Sequence, residues 1–264
     1  MKVMTFNLRF ENDRDGENSW GQRRHVVVDV IRKYAPAILG TQEGTPRQLE
    51  YLQDRLPQYR MYTPQRTWDE TCQYPTLFYR TGRLNALAGG EFWLSLTPQI
   101  HRSKDWDSAF PRMMSYALLR EEEETSRTFW AVVTHLDHLG SQARQAQTRM
   151  LVEWLKERSE PRLLVGDFND RPGSPLHALL TNPETQLEDS WYALGKEENE
   201  QSMTHHNFQG TPGKFRMDWI LTSSELEVLD AFIVRDHEAG RYPSDHFPYL
   251  VELRWKDRST PRKP

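Results

Sequence analysis

Short apolar runs that end in polar or charged residues set the texture of the chain. The first, Val3 to Leu8, reads as a strand and is followed by a polar loop from Glu11 to Ser19. Helical spacing then takes over: Val26, Val27, Val30, Ile31 and Tyr34 recur on one face of a helix over Gln22 to Tyr34, and Pro36 ends it. Ala37-Ile38-Leu39-Gly40 is a short buried strand that delivers Thr41-Gln42-Glu43 at its C-terminal end. Pro46 stands where a helical turn begins, and Leu49, Leu52 and Leu56 mark the apolar face of the helix it opens.

From Tyr59 to Trp93 the pattern shifts to β-like runs rich in aromatics, Thr76 to Arg80 and Gly90 to Leu96 among them, punctuated by Gly and Pro. Strands are predicted over Met114 to Glu121 and Thr128 to Thr134, with the acidic run Glu121 to Glu124 as a solvated turn between them. Ser141 to Arg158 has the clearest helical period, through Ala143, Ala146, Met150, Leu151, Trp154 and Leu155. Arg162-Leu163-Leu164-Val165 is a buried strand ending in Gly166-Asp167-Phe168-Asn169, and a short helix around Leu176 to Leu180 follows. Phe215 to Leu221, Leu226 to Val234 and Phe247 to Trp255 complete the strands.

Strands outnumber helices, an arrangement that two mixed sheets packed face to face with helices outside would accommodate. No strand leads into a Gly-rich phosphate-binding fingerprint, which argues against a dinucleotide-binding fold. No linker or repeat interrupts the pattern, so residues 1–255 are expected to form one domain, followed by a basic, frayed tail over 256–264.

Composition narrows the function classes. The 264 residues carry a formal charge of −4, against a protein that coats polyanions by charge alone. The single cysteine, Cys72, excludes a disulfide framework and a cysteine-based zinc cluster, and is expected to be a packed residue without chemistry. Only 37% of residues are hydrophobic and the mean hydropathy is −0.81, yet there are 9 Trp, 10 Tyr and 11 Phe, so aromatics supply much of the core. No run is long enough to span a membrane, and the first residues already read as a strand rather than a signal peptide, so a cytoplasmic monomer is the expectation.

The chemistry collects where apolar runs stop. Asn7, Glu43, His135, Asp167 and Asn169 each follow a strand, Asp218 lies at Met217-Asp218-Trp219, and Asp245-His246 precede Phe247. Ionised groups beside a core must be paired, metal-bound or solvated. Singly each is an ordinary turn residue. As a set, hard oxygen donors such as Glu43 and Asp245, helped by Asn7, suit Mg²⁺ or Mn²⁺, and a histidine beside an aspartate offers a general base. These are the parts of a phosphoester hydrolase.

Thr5-Phe6-Asn7-Leu8, Thr41-Gln42-Glu43, Thr134-His135-Leu136, Gly166-Asp167-Phe168-Asn169, Met217-Asp218-Trp219-Ile220 and Ser244-Asp245-His246 resemble, in order, the motifs of the endonuclease/exonuclease/phosphatase superfamily, of which deoxyribonuclease I is a member. The resemblance runs from Val3 to Leu253. It implies a four-layer α/β sandwich with the site at one edge of the sheets, and a phosphoester substrate: nucleic acid, nucleotide or phosphorylated small molecule. It further implies Glu43 as principal metal ligand with Asn7 and Asp245 nearby, and Asp218–His246 as a carboxylate–imidazole pair. Asp167 is similar to the residue that orients or deprotonates water, and Asn169 to the amide that holds a phosphate oxygen. His135 resembles a phosphate contact or general acid, and Arg112, more loosely, a phosphate-binding arginine.

Departures sharpen the comparison. Arg9 stands where abasic-site endonucleases carry an aspartate, and His135 replaces their tyrosine; both count against abasic-site repair. Asn18-Ser19-Trp20 with Arg23, His135-Leu136-Asp137-His138 and Arg241 to Pro248 look most like a branch of small bacterial stand-alone hydrolases without one agreed substrate. A phosphodiesterase, nucleases included, is the favoured reading. A phosphatase of sugar or lipid head-group phosphates and a non-catalytic scaffold are the alternatives, the last disfavoured by the intact polar set.

The remaining polar features are read conservatively. His138 is expected to diverge from His135 on an exposed strand end, because only a helix puts that spacing on one face. His205-His206 is open between a substrate contact and none. Asp13-Arg14-Asp15-Gly16 lacks the ligand spacing of a calcium loop and reads as a mobile rim. Trp20, Trp68 and Trp106 lie in polar stretches, with packing preferred to pocket lining.

Overall fold

The computed structural model describes residues 1–122 and 126–256. Twelve strands are β1 (Lys2–Asn7), β2 (Ile38–Gly44), β3 (Tyr59–Tyr62), β4 (Tyr74–Arg80), β5 (Leu84–Trp93), β6 (Met113–Glu121), β7 (Thr128–His135), β8 (Arg162–Asp167), β9 (Leu187–Asp189), β10 (Asp218–Ser223), β11 (Leu226–Ile233) and β12 (Tyr249–Trp255). Four α-helices accompany them: α1 (Trp20–Tyr34), α2 (Pro46–Arg55), α3 (Ser141–Lys156) and α4 (Pro175–Leu180).

The strands form two six-stranded sheets, in the orders β11-β12-β1-β2-β4-β3 and β5-β6-β7-β8-β10-β9. Each sheet holds one parallel pair, β1 with β2 and β7 with β8, among antiparallel neighbours. Both parallel pairs are joined through a helix, α1 in one sheet and α3 in the other, as a parallel crossover requires. The expected four-layer sandwich of two mixed sheets flanked by helices is therefore the observed architecture.

The alternation of side chains along the strands explains the layering. Val3, Ile38, Leu163, Val165, Tyr249 and Val251 point into a core between the sheets. Their neighbours Met4, Leu39 and Leu250 point outward and meet Val27, Ile31, Leu49 and Leu52 of α1 and α2. On the other flank Val132, Leu164, Trp219 and Leu221 meet Leu151, Trp154, Leu155, Leu176 and Leu180 of α3 and α4. Gly40 marks the tightest approach of the sheets: a Cβ there would sit 2.4 Å from Val165 and 3.0 Å from Val133.

Several boundaries differ from the sequence reading for identifiable reasons. The loop over Glu11 to Ser19 contains 3₁₀ turns from Asp13 to Asn18, capped by the Asn12 side chain. β5 starts at Leu84 and stops at Trp93, whose N–H leaves the ladder for Pro98 O. β10 starts only at Asp218, because Arg216 turns into a buried ion pair and Met217 N–H bonds the Thr204 hydroxyl. β12 begins after Pro248, which has no N–H to give a ladder. β3 lies inside the aromatic β-like stretch, and the three-residue β9 was not anticipated. Of the acidic turn after Glu121, residues 123–125 lie outside the described residues, as do 257–264 of the tail.

Cys72 is buried and free, as expected. Trp20 packs in the core against Tyr51, whereas Trp68 and Trp106 are partly exposed. Among the described residues no helix is long and apolar enough to cross a membrane.

Candidate active site

The C-terminal ends of the two parallel pairs lie at the same edge, and antiparallel β10 and β12 begin there. This topology brings together residues that the chain spreads over 240 positions. Asn7 ends β1, Glu43 lies near the end of β2, His135 and Asp167 end β7 and β8, and Asp218 opens β10 directly opposite Asp167. Asp245 and His246 lie just ahead of β12.

One amide links the two sheets. Asn7 Nδ2 donates to Glu43 Oε1 at 3.1 Å and to Asp167 Oδ2 at 3.0 Å. Glu43 Oε2 accepts the Phe10 N–H at 3.1 Å, and Asp167 Oδ1 accepts the Asn169 N–H at 2.9 Å. Arg9, Glu43 and Asn169 all hold left-handed backbone, with φ of 52°, 61° and 50°. Such conformations cost about 1 kcal/mol or more apiece for non-glycine residues and persist where surrounding contacts impose them.

Across the cluster, His246 Nδ1 lies 2.9 Å from Asp218 Oδ2, while the other Asp218 oxygen is buried without a hydrogen-bond partner. Burial disfavours the imidazolium, but the charge and hydrogen bond of Asp218 outweigh it and push His246 up to about 10. Burial, with Asp218 facing it, pushes the Asp167 carboxyl up to about 7. Ligand atoms of Asp167, Asp218 and His246 lie within 4.8 Å of one another, as do those of His205, Asp245 and His246. Glu43 stands outside both triads, joined to Asp167 through Asn7.

Four carboxylates thus converge with few compensating cations, and one of their oxygens is orphaned. That donor set fits a hard divalent cation, for which carboxylate and amide oxygens are the preferred ligands. Arg9 qualifies the fit at Asp245. Its Nε lies 3.9 Å from Asp245 Oδ2, but its forked hydrogen bonds go to Asp15, at 3.0 and 2.9 Å. The rim segment around Asp15 therefore has a definite partner.

His135 is buried. Arg112 Nη1 donates to its Nδ1 at 2.9 Å, and its Nε2 lies 3.5 Å from Asp167 Oδ2 and 3.1 Å from the Asn169 amide, which donates to Leu136 O. Burial and the Arg112 charge hold His135 well below its ordinary pKa. Of the two roles implied for it, a hydrogen-bonding contact suits this neutral ring better than a proton-giving acid. Arg112 is itself buried and engaged with both His135 and His138.

His138 corrects the sequence reading. The chain does not continue extended after His135 but turns around the buried Asp137, so the two imidazoles converge on Arg112. The histidine pair at 205–206 splits. The His205 ring stands 5.0 Å from His246 at the site, whereas His206 stacks on Phe247 at 3.8 Å and accepts the Gly210 N–H. Burial, followed by the His246 charge, lowers His205 to about 4.

Arg23, noted only as part of a motif, is a clamp. Fully buried, it donates to the carbonyls of Leu8, Arg9, Asn18 and Pro243 at 2.6–2.8 Å, tying the segment after β1 to the one carrying Asp245. Its neighbours Gln22, Arg24 and His25 are polar as well, so no local signal set it apart in the sequence.

Two stacked mixed sheets with an acid–amide–imidazole cluster at one edge define the deoxyribonuclease I-like class of α/β sandwich. The chain belongs to the Endonuclease/Exonuclease/phosphatase family, whose profile matches residues 4–246. Members of this family are phosphoester hydrolases that typically use divalent metals. Among solved structures, a mannosyl-6-phosphatase from Bacteroides thetaiotaomicron is 29% identical, with 97% of this chain and 100% of that one covered and a TM-score of 0.85. A conserved protein of unknown function from Enterococcus faecalis is 27% identical, with 97% and 100% covered and a TM-score of 0.86. TDP2 from D. rerio, solved with a single-strand DNA product, is 20% identical, with 96% and 98% covered and a TM-score of 0.75, a likeness of fold. No curated protein matches the sequence.

Proposed function

We propose that the protein hydrolyses a phosphoester by attack of water, with Mg²⁺ or Mn²⁺ held by Glu43, Asn7 and Asp245. The observation that carries this reading is the cross-sheet chain Glu43–Asn7–Asp167 facing the Asp218–His246 pair. The cation, when bound, would neutralise charge on the phosphate and its leaving oxygen.

Asp167 is the water-orienting carboxylate, fixed by the Asn7 amide and the Asn169 N–H. Asp218 holds His246 through Nδ1, which leaves Nε2 to face the reacting phosphate. Asn169 and His135 offer hydrogen bonds to phosphate oxygens, and Arg112 lends charge behind His135. In-line attack along this arrangement relies on fixed dipoles and charges rather than on a covalent intermediate.

The phosphodiesterase form of this reaction, nucleases included, draws on the His135–Arg112 pair. A phosphomonoesterase acting on a sugar phosphate is the second reading, favoured by the 29% identity to the mannosyl-6-phosphatase over essentially the whole of both chains. A metal-supplemented screen of bis-p-nitrophenyl phosphate, p-nitrophenyl phosphate, DNA, RNA, nucleotides and sugar phosphates separates them. Glu43→Ala and His246→Ala are each expected to lower kcat by about 10² or more on whichever substrate is turned over. Wild-type rates in either variant overturn the assignment.

A further inference from the structure

His138 has been given no role so far, yet its surroundings are unusually well determined. Asp137, fully buried, accepts the N–H groups of Leu139 and Gly140 on one carboxylate oxygen, at 3.1 and 2.8 Å. Its other oxygen accepts the Ala109 and Phe110 N–H groups and the Ser108 hydroxyl, at 2.9, 3.2 and 3.1 Å. One carboxylate thus holds the turn after β7 and the segment before β6 in a single register. Gly140 is part of the same joint, since a Cβ there would sit 2.4 Å from Asp107 O.

Arg112 lies across this joint, its Nε 3.6 Å from Asp137. Nη1 donates to His135 Nδ1 at 2.9 Å and Nη2 to His138 Nδ1 at 3.3 Å. A guanidinium has no acceptor, so both Nδ1 atoms accept and both neutral rings carry their hydrogen on Nε2. The His135 Nε2–H is turned toward the site, 3.1 Å from the Asn169 amide and 3.5 Å from Asp167 Oδ2. The His138 ring is exposed, and among the described residues its Nε2–H has no partner. It is a fixed, uncharged donor beside a phosphate-type site, within electrostatic reach of Glu43.

Phe110 supplies the second element. Its ring stacks on His138 with centroids 5.6 Å apart and planes 24° from parallel, and it remains 51% exposed. The adjoining Leu139 is 71% exposed. An aromatic face beside a neutral N–H donor matches the C–H face and hydroxyl edge of a sugar ring. Few convergent polar groups on an apolar wall are what orient a small ligand.

We propose that His138, backed by Phe110, binds the sugar of a phosphomonoester and sets substrate choice at this site. The proposal rests on the phosphomonoesterase reading above and adds the residue that recognises the leaving group. A nucleotide base would also stack on Phe110, so AMP belongs among the substrates compared.

The test has a spectroscopic arm and a kinetic arm. Long-range ¹H–¹⁵N correlation spectra are expected to show His138 in the Nε2–H tautomer, with that preference lost in Arg112→Lys; an Nδ1–H tautomer in the wild type overturns the proposal. In kcat/KM for mannose 6-phosphate, His138→Ala is expected to lose about tenfold more than it loses on p-nitrophenyl phosphate, mainly through KM, with partial recovery in His138→Gln. Equal losses on both substrates, or a selective loss on AMP instead, overturn it. Should the wild type turn over no monoester, the phosphomonoesterase reading fails on its own, and equilibrium binding still tests His138. Mannose 6-phosphate should then bind about tenfold tighter than inorganic phosphate in wild type but not in His138→Ala; equal affinities in the wild type overturn the inference.

Discussion

Asp137 illustrates how a single buried side chain organises its neighbours. Burial alone would raise its carboxyl pKa, but the N–H groups of Gly140, Ala109 and Phe110, with the Arg112 charge, outweigh that and leave it lowered to about 2. An unfolded aspartate titrates near 3.9, so this is a group depressed on folding. Its contribution is present in full above about pH 4 and is lost as the pH falls through about 2, roughly 2 kcal/mol in all. Urea unfolding of wild type and Asp137→Asn across this window checks the sign: wild type should lose about 2 kcal/mol more than the variant between pH 4 and pH 2. Parallel curves would show that Asp137 is not depressed. Asn7, Glu43, His135 and Asp167 at strand ends, and Asp245 just ahead of a strand, were legible in the sequence because a polar group beside an apolar run stands out locally. Asp137 and Arg23 were not, since each acts through carbonyls and N–H groups that only the fold brings near. His138 was misread for the same reason: its convergence with His135 depends on the turn that Asp137 holds.

At the level of elements, β1, β2, β7 and β8 do the positioning, and their apolar runs alternate between the inner and outer cores with a period of two. These strands and the helices α1, α2 and α3 were readable because burial imposes that period or its helical counterpart over many residues. β9 has three residues, too few to carry a pattern, and in β5 the stretch Ala86 to Gly90 is built largely of small residues, so only the end of that strand, from Gly90, was read. Gly40 is the element-scale detail with the clearest consequence. Val133 and Val165 occupy the space where its side chain would be, so Gly40→Val must push the sheets apart. Overpacking of a dense core costs about 2 kcal/mol, and the strain would fall beside Thr41-Gln42-Glu43. Chemical denaturation should give a destabilisation of that size together with reduced activity, while an unchanged midpoint would mean that the sheets are not held at this spacing.

For the whole molecule, the site exists only because two sheets present matching edges. No sheet holds all of it: Asn7, Glu43, Asp245 and His246 come with one, and His135, Asp167, Asn169 and Asp218 with the other. The formal charge of −4 is compatible with this, because four of the acids are gathered at the site, where they would be offset by a bound cation. Family and fold class could be read from spaced motifs. Substrate could not, because it depends on loops such as 105–112 and 136–140, whose shapes are set by long-range contacts. The central claim is tested most directly by removing divalent metal with a chelator and adding Mg²⁺ or Mn²⁺ back while following initial rates on a p-nitrophenyl phosphoester, in wild type and Glu43→Gln. The expected result is activity below about 1% without metal, restored by the cation in wild type and not at the same concentration in the variant. Full activity in the presence of chelator, or identical metal dependence in Glu43→Gln, would contradict it.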